Sequence, residues 1–261
     1  MFFEEILYRR RLQAAACIFL LIGACGQGER TVAPVDAVRA EADEIYQLLA
    51  YAIVDAQWEA GESTRRGHNI GALLVEPDGA PAWWALNSNF AEESAVEHAE
   101  LRLIQTYFAH RRDGGHPVSR LSGYTVYSTL EPCAMCAGAM IMADVPRVVY
   151  GQRDRTWGGA AERLALDTRR KDGMAPYPRA LESVASASAI RARLEESYGR
   201  SGESSVTRWL DSPAAREIYR DASRALDGFD VRHAENRRIL EMARGMRERA
   251  AATATPEDRA P

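Results

Sequence analysis

Cys133 and Cys136 stand three residues apart just behind Tyr124 to Leu130, a run rich in aromatic and β-branched residues. Such a run reads as a strand. Pro132-Cys133-Ala134-Met135-Cys136 reads as the opening of a helix, because proline suits a first helical position whose amide proton would have no partner anyway. Residues three apart on a helix are neighbours on one face, so both sulfurs point the same way, at the end where the helix dipole favours thiolate. The other two cysteines, Cys17 and Cys25, lie in the first 25 residues. Two sulfurs this close cannot staple a domain, so the fold has to come from a hydrophobic core. With 261 residues, 46% hydrophobic and 27% charged, the chain has the means for one, and wholesale disorder, collagen-like and coiled-coil classes are set aside.

Periodicity predicts the rest. Val38, Ala42, Ile45, Leu48, Leu49, Ala52 and Ile53 recur at helical spacing and predict a helix over residues 36–59. Residues 70–76 and 82–86 are apolar runs around the turn Pro77-Asp78-Gly79, a hairpin signal. Helical spacing returns over 92–110, Tyr124 to Leu130 is a strand, 132–143 a helix and 147–151 a short strand. Helix, strand, strand, helix, strand, helix, strand is the order of an α/β domain. Beyond about residue 160 the chain turns helical and charged, with segments near 189–198, 214–226 and 231–250, and 251–261 is polar and predicted to be disordered. The expected organisation is a leader over 1–25, a catalytic domain over 34–165, and a helical extension over 166–250 whose first part can complete the domain.

The leader is distinctive. Arg9-Arg10-Arg11 precedes an apolar stretch, Leu12 to Ile22, that ends in Gly23-Ala24-Cys25. This is the layout of a secretory signal, with an apolar core short of the about 20 residues a membrane helix needs. Ile22-Gly23-Ala24-Cys25 resembles the bacterial lipoprotein cleavage box. That implies export to the periplasmic side of a membrane and a lipid anchor on Cys25. An amphipathic N-terminal helix or a misplaced start, with a cytoplasmic protein, is the other reading, since Glu4 and Glu5 are unusual in a leader. The net charge of -4 and pI near 5.8 argue against nucleic acid as the default partner.

His98-Ala99-Glu100 sits early in the second predicted helix. Two thiolates and one imidazole are three ligands of the kind zinc takes in a tetrahedral site, and three protein ligands leave the fourth position open, as catalytic rather than structural sites do. His68, His110, His116 and His233 remain as formal candidates to close it, none at ligand spacing from either motif. Glu100, two residues past the histidine, can act as general acid and base. Either motif alone is common; both in this order match the known signature of zinc deaminases.

The stretch Thr129-Leu130-Glu131-Pro132-Cys133-Ala134-Met135-Cys136-Ala137-Gly138-Ala139-Met140-Ile141, with Arg147 to Asp154 after it and Ile70 to Val75 before it, resembles the cytidine deaminase-like superfamily. It looks most like the tRNA-type adenosine deaminases, with nucleobase deaminases for cytosine and guanine as near relatives. The resemblance covers roughly residues 36–159. It implies a three-layer α/β/α fold on a central mixed five-stranded sheet, plus the C-terminal helical extension, and a homodimer. It implies one zinc per chain on His98, Cys133 and Cys136, with Glu100 carrying protons. Asn87 matches the family asparagine that hydrogen-bonds the base; Gly71 and Ala72 would let the ring approach backbone, and Ala99 can offer an amide. Trp157 either stacks on the ring or fills core, core being the commoner fate of a lone tryptophan.

Departures shape the expected substrate. In the tRNA enzymes a lysine follows the Arg-Asp pair and the chain ends in a basic aromatic helix, whereas here Arg155-Thr156-Trp157-Gly158 follows and the late helices are mixed in charge. Together with export, this points to a free nucleobase or nucleoside of adenine, guanine or cytosine type, with tRNA adenosine deamination as the alternative. A thiol oxidoreductase and a non-catalytic binding module are remote readings.

Overall fold

The computed structural model describes residues 34–60, 65–164 and 181–253. Its contacts divide the chain into two units, Met1–Ala37 and Val38–Pro261, and the functional residues all belong to the second. The leader and the cleavage box fall outside the described residues, as does the tail from residue 254.

Helix α1 (Pro34–Ala56) leads to the hairpin β1 (Gly71–Val75) and β2 (Pro81–Leu86), then α2 (Ala99–Asp113), β3 (Thr125–Leu130), α3 (Ala134–Met142) and β4 (Arg147–Gln152). A single turn, α4 (Ala160–Arg163), precedes β5 (Glu182–Ala185), followed by α5 (Ala189–Ser201), α6 (Val206–Leu210), α7 (Pro213–Asp227) and α8 (Arg237–Thr253). The sheet order is β2-β1-β3-β4-β5. β1 is antiparallel to both β2 and β3, while β3, β4 and β5 are parallel, so the sheet is mixed as expected.

Strand alternation explains the layers. On β3, Tyr127 turns to α1, where its ring lies 5.0 Å from Tyr46 and its hydroxyl donates to Asp43. The next residue, Ser128, turns the other way and donates from Oγ to Glu100 on α2. Helix α1 thus lies on one face, with Tyr51 packed 5.2 Å from the buried Tyr219 of α7, and α2 lies on the other, with α3 packed beside it. Asp43 also takes both guanidinium nitrogens of the buried Arg147 at 2.8 and 2.7 Å, fixing the start of β4 to α1.

Three differences from the sequence expectation have local causes. The second helix begins at Ala99 rather than near residue 92, because the Ser88 amide donates to Glu97 O and Glu93 takes φ 47°, closing 88–97 into a loop. Pro132 lies one residue before the cap, since Cys133 itself is extended at φ -72°, ψ 175° and serves as N-cap of α3. β5 and the short α6 had no periodic signal; β5 has four residues, and its pairing with β4 (Val149 with Val184) is what makes it a strand.

The late helices are anchored on α1 by Glu41. Its buried carboxylate accepts from the Arg232 amide at 2.7 Å, the Arg232 Nε at 3.0 Å, the His233 amide at 3.1 Å and Asn236 Nδ2 at 2.8 Å. Burial alone would raise its pKa, but these donors together outweigh burial and bring it from 4.5 down to about 2. A carboxylate with a depressed folded-state pKa adds stability above its unfolded value, and that stability is lost as pH falls from 4.5 towards 2. Glu41→Gln is expected to cost roughly 2–3 kcal/mol at pH 7. It should also flatten the acid limb of stability, read as urea midpoints across pH; an unchanged acid limb contradicts this.

Candidate metal centre and active site

His98 caps α2 and Cys133 caps α3, so the centre forms where two helix N-termini meet, with Cys136 in the first turn of α3. His98 Nδ1 lies 3.6 Å from both Cys133 Sγ and Cys136 Sγ, and the three ligand atoms fall within 4.8 Å of one another. A tetrahedral zinc with bonds of about 2.3 Å to sulfur and 2.0–2.1 Å to nitrogen separates N and S by roughly 3.6 Å. The donor set therefore fits zinc in both chemistry and spacing. Both cysteines are free thiols rather than a disulfide. Among the described residues no fourth His, Cys, Asp or Glu joins the cluster. His110 stacks on Trp83 at 4.4 Å, and the His68 ring bonds Asp211.

The sulfurs divide their protons unequally. Cys133 is brought down to about 4, chiefly by its hydrogen bond with Cys136 and then by His98, with burial opposing. The Cys136 thiol is pushed up by the same bond and by burial. His98 is raised, first by its bond to Cys133. Glu100 is buried, its pKa is raised by that burial, and its Oε1 accepts from Ser128 Oγ at 2.9 Å.

A cavity of about 170 Å³ opens over this cluster, lined by His98, Ala99, Glu100 and Cys133 on the metal side and by Asn87 and Ile70 opposite. Asn87 Oδ1 accepts from the His68 and Asn89 amides at 3.1 and 3.3 Å, which leaves its NH₂ group as the donor available to a ligand. Gly67 has to be glycine here, because a Cβ would run into Asn87 Oδ1. Gly71 and Ala72 do not line the cavity, contrary to the reading that they let a ring approach backbone. The missing Cβ of Gly71 admits Val54 and Leu86 instead, which it would meet at 2.6 and 2.8 Å.

Sequence reasoning missed part of the wall. Glu131, Asp154 and Thr207 line the cavity without having been singled out, and His68, weighed only as a fourth metal ligand, lines it as well. Glu131 is buried and accepts from the Asp154 and Gly159 amides at 3.2 and 2.7 Å, and Asp154 Oδ1 accepts from the Thr156 and Trp157 amides. This chain of bonds fixes Trp157 at the mouth, 65% exposed, so the expectation of a core tryptophan is corrected. Glu131 and Asp154 lay within the quoted motifs; Thr207, in α6, carried no signal.

A family model described as the cytidine and deoxycytidylate deaminase zinc-binding region matches residues 44–152. The chain is similar to the tRNA-specific adenosine deaminase of Haemophilus influenzae, 30% identical over 129 residues that cover 49% of this chain and 68% of that protein. It is also similar to that of Bacillus subtilis, 37% identical over 116 residues covering 44% and 65%. It spans just under two thirds of the first curated relatives it matches, 66% of the Streptococcus pyogenes enzyme. Among solved structures, guanine deaminase from Bacillus subtilis is 23% identical, covering 43% of this chain and 71% of that one at a TM-score of 0.31.

These matches overturn the expectation of export to the periplasmic side: the relatives are named as tRNA-specific adenosine deaminases. With the zinc ligands converged at two helix starts, and with a relative matched over two thirds of its length, the chain belongs to the cytidine deaminase-like superfamily of zinc-binding deaminases.

Proposed function

We propose that this protein catalyses the hydrolytic deamination of an amino-bearing nucleobase ring of adenine, guanine or cytosine type, taken up as the free base or nucleoside. The observation that carries the reading is the convergence on one small cavity of Glu100, Asn87, His98 and Cys133, with Cys136 completing the candidate zinc ligands behind them. Residues 34–165 with β5 form the deaminase domain in this reading, and the later helices its extension.

His98, Cys133 and Cys136 would hold zinc, which when bound would lower the pKa of its water to about 7 and supply a hydrolytic nucleophile at neutral pH. Asn87, its carbonyl oxygen already committed to backbone, donates from NH₂ to a ring acceptor and sets the ring's angle. Ser128 holds one Glu100 oxygen, and the other takes the proton of the attacking water and delivers it to the departing nitrogen. A C–O bond forms, the C–N bond breaks, and ammonia leaves. Burial keeps bulk water from competing for that proton.

The choice of a small substrate rests on the cavity wall, which carries Glu131 and Asp154 and, among the described residues, no Lys or Arg. One observation favours tRNA adenosine as a second reading, besides the names of the relatives: an open groove lined by Arg153, Arg155, Arg163 and Arg191, with Glu162 and Glu195 among them, shares Asp154 with the cavity. Ammonia release by the zinc-loaded protein from adenine, guanine, cytosine and their nucleosides tests the lead reading. Turnover of an anticodon stem-loop RNA with none from the six small substrates replaces it with the second.

A further inference from the structure

One wall of the cavity is built by a residue far along the chain. Asp211, between α6 and α7, is nearly buried at 6% side-chain exposure, and both its oxygens are committed. Oδ1 accepts from the amide and side-chain nitrogens of Asn69 at 2.8 and 3.1 Å. Oδ2 meets Arg65 at 2.9 Å and His68 Nδ1 at 2.7 Å. The His68 ring is held on its other side by Phe90, edge-on at 5.0 Å, and Phe90 in turn lies under the Arg65 guanidinium at 5.1 Å. His68 therefore has one ring orientation, imposed by Asp211 and Phe90.

That orientation fixes what the ring offers. In the tautomer that donates Nδ1–H to the Asp211 carboxylate, Nε2 is an acceptor, and among the described residues Nε2 has no protein partner. His68 lines the same cavity as Glu100 and the zinc ligands. Its own amide donates to Asn87 Oδ1, so the two side chains are neighbours in the wall. One offers an NH₂ donor and the other a nitrogen acceptor.

We propose that His68, positioned by Asp211, is a substrate-binding residue whose Nε2 accepts a hydrogen bond from a donor on the substrate, a ring or exocyclic N–H or a sugar hydroxyl. This rests on the deaminase reading above and adds to it a specificity element supplied through the C-terminal segment. Asn87 and His68 together then demand a substrate that shows an acceptor and a donor side by side. The interaction is made equally before and during the reaction, so it acts on KM rather than kcat.

Two substitutions separate binding from support. An asparagine amide falls near the Nδ1 position, so His68→Asn keeps the bond to Asp211 and loses the ligand-facing atom. A glutamine amide falls near Nε2, so His68→Gln does the reverse. In steady-state kinetics on whichever substrate the zinc-loaded wild type turns over, His68→Asn is expected to raise KM roughly tenfold, the worth of about one hydrogen bond. It should leave kcat within about twofold and the thermal midpoint unchanged. His68→Gln is expected to recover most of the KM with a lowered midpoint. An effect on bases and nucleosides alike puts the donor on the ring, and an effect on nucleosides alone puts it on the sugar; both support the proposal. A wild-type KM in His68→Asn, or the reverse order of the two variants, overturns it and leaves the deaminase reading standing. No turnover of any base, nucleoside or RNA by the wild type overturns the functional reading, and this inference with it.

Discussion

Glu100→Gln is expected to lower kcat by about 10²–10⁴, the usual contribution of a positioned acid–base group, while zinc content and KM stay near wild type. The isosteric amide can still accept from Ser128 Oγ, which lies 2.9 Å from Glu100 Oε1, so the fold around it has no reason to change. What the amide cannot do is take a proton from water and return it to nitrogen. The measurement is ammonia release against metal analysis on the same preparation. A variant that keeps its zinc and its rate removes Glu100 from the reaction altogether.

The second large effect concerns the metal. Cys136 is fully buried in the first turn of α3 and shares its position 3.6 Å from His98 Nδ1 with Cys133. Losing a residue that only orients a metal ligand typically costs about 10–100-fold in affinity, and losing a ligand costs more. Cys136→Ala is expected to be purified without stoichiometric zinc and without activity. A ligand that binds only the folded state raises stability in proportion to the logarithm of its concentration over Kd. The thermal midpoint of the wild type should therefore climb with added zinc, while that of the variant should not. A zinc-dependent midpoint in Cys136→Ala means that the metal sits elsewhere.

The chemistry was readable in the sequence because its residues are bound to short, rigid spacings. Cys133 and Cys136 are three apart at the start of α3, directly behind β3, whereas a loop separates His98 from β2 and Asn87 was named from the resemblance alone. His98, Cys133 and Cys136 lie together, and His98, Glu100, Cys133 and Asn87 line one cavity. The strands were equally legible up to β4, since β1, β3 and β4 carry buried apolar runs and the half-buried β2 follows β1 across a turn signal.

What was not legible depends on distant pairing. His68 and Asp211 are 143 positions apart, and no periodicity marks either one. Gly71 looked like a residue making room for a ligand, yet the room is taken by Val54 and Leu86 from elsewhere in the fold. Trp157 looked like core because tryptophan is costly to expose, but two backbone bonds to Asp154 hold it at the surface. A composition-based argument cannot see a side chain whose position is set by its neighbours' amides.

The zinc ligands lie at 98, 133 and 136, whereas Thr207 and the support beneath His68 come from the last quarter of the chain. In the proposed reading the hydrolytic step depends on residues 98–136, while selectivity depends on Asn87 and His68 and on the support that Asp211 brings from the last quarter of the chain. Mutations near α6 are then expected to change which molecule is admitted before they change the hydrolytic step. Divergence among chains built this way should accumulate in the late helices first.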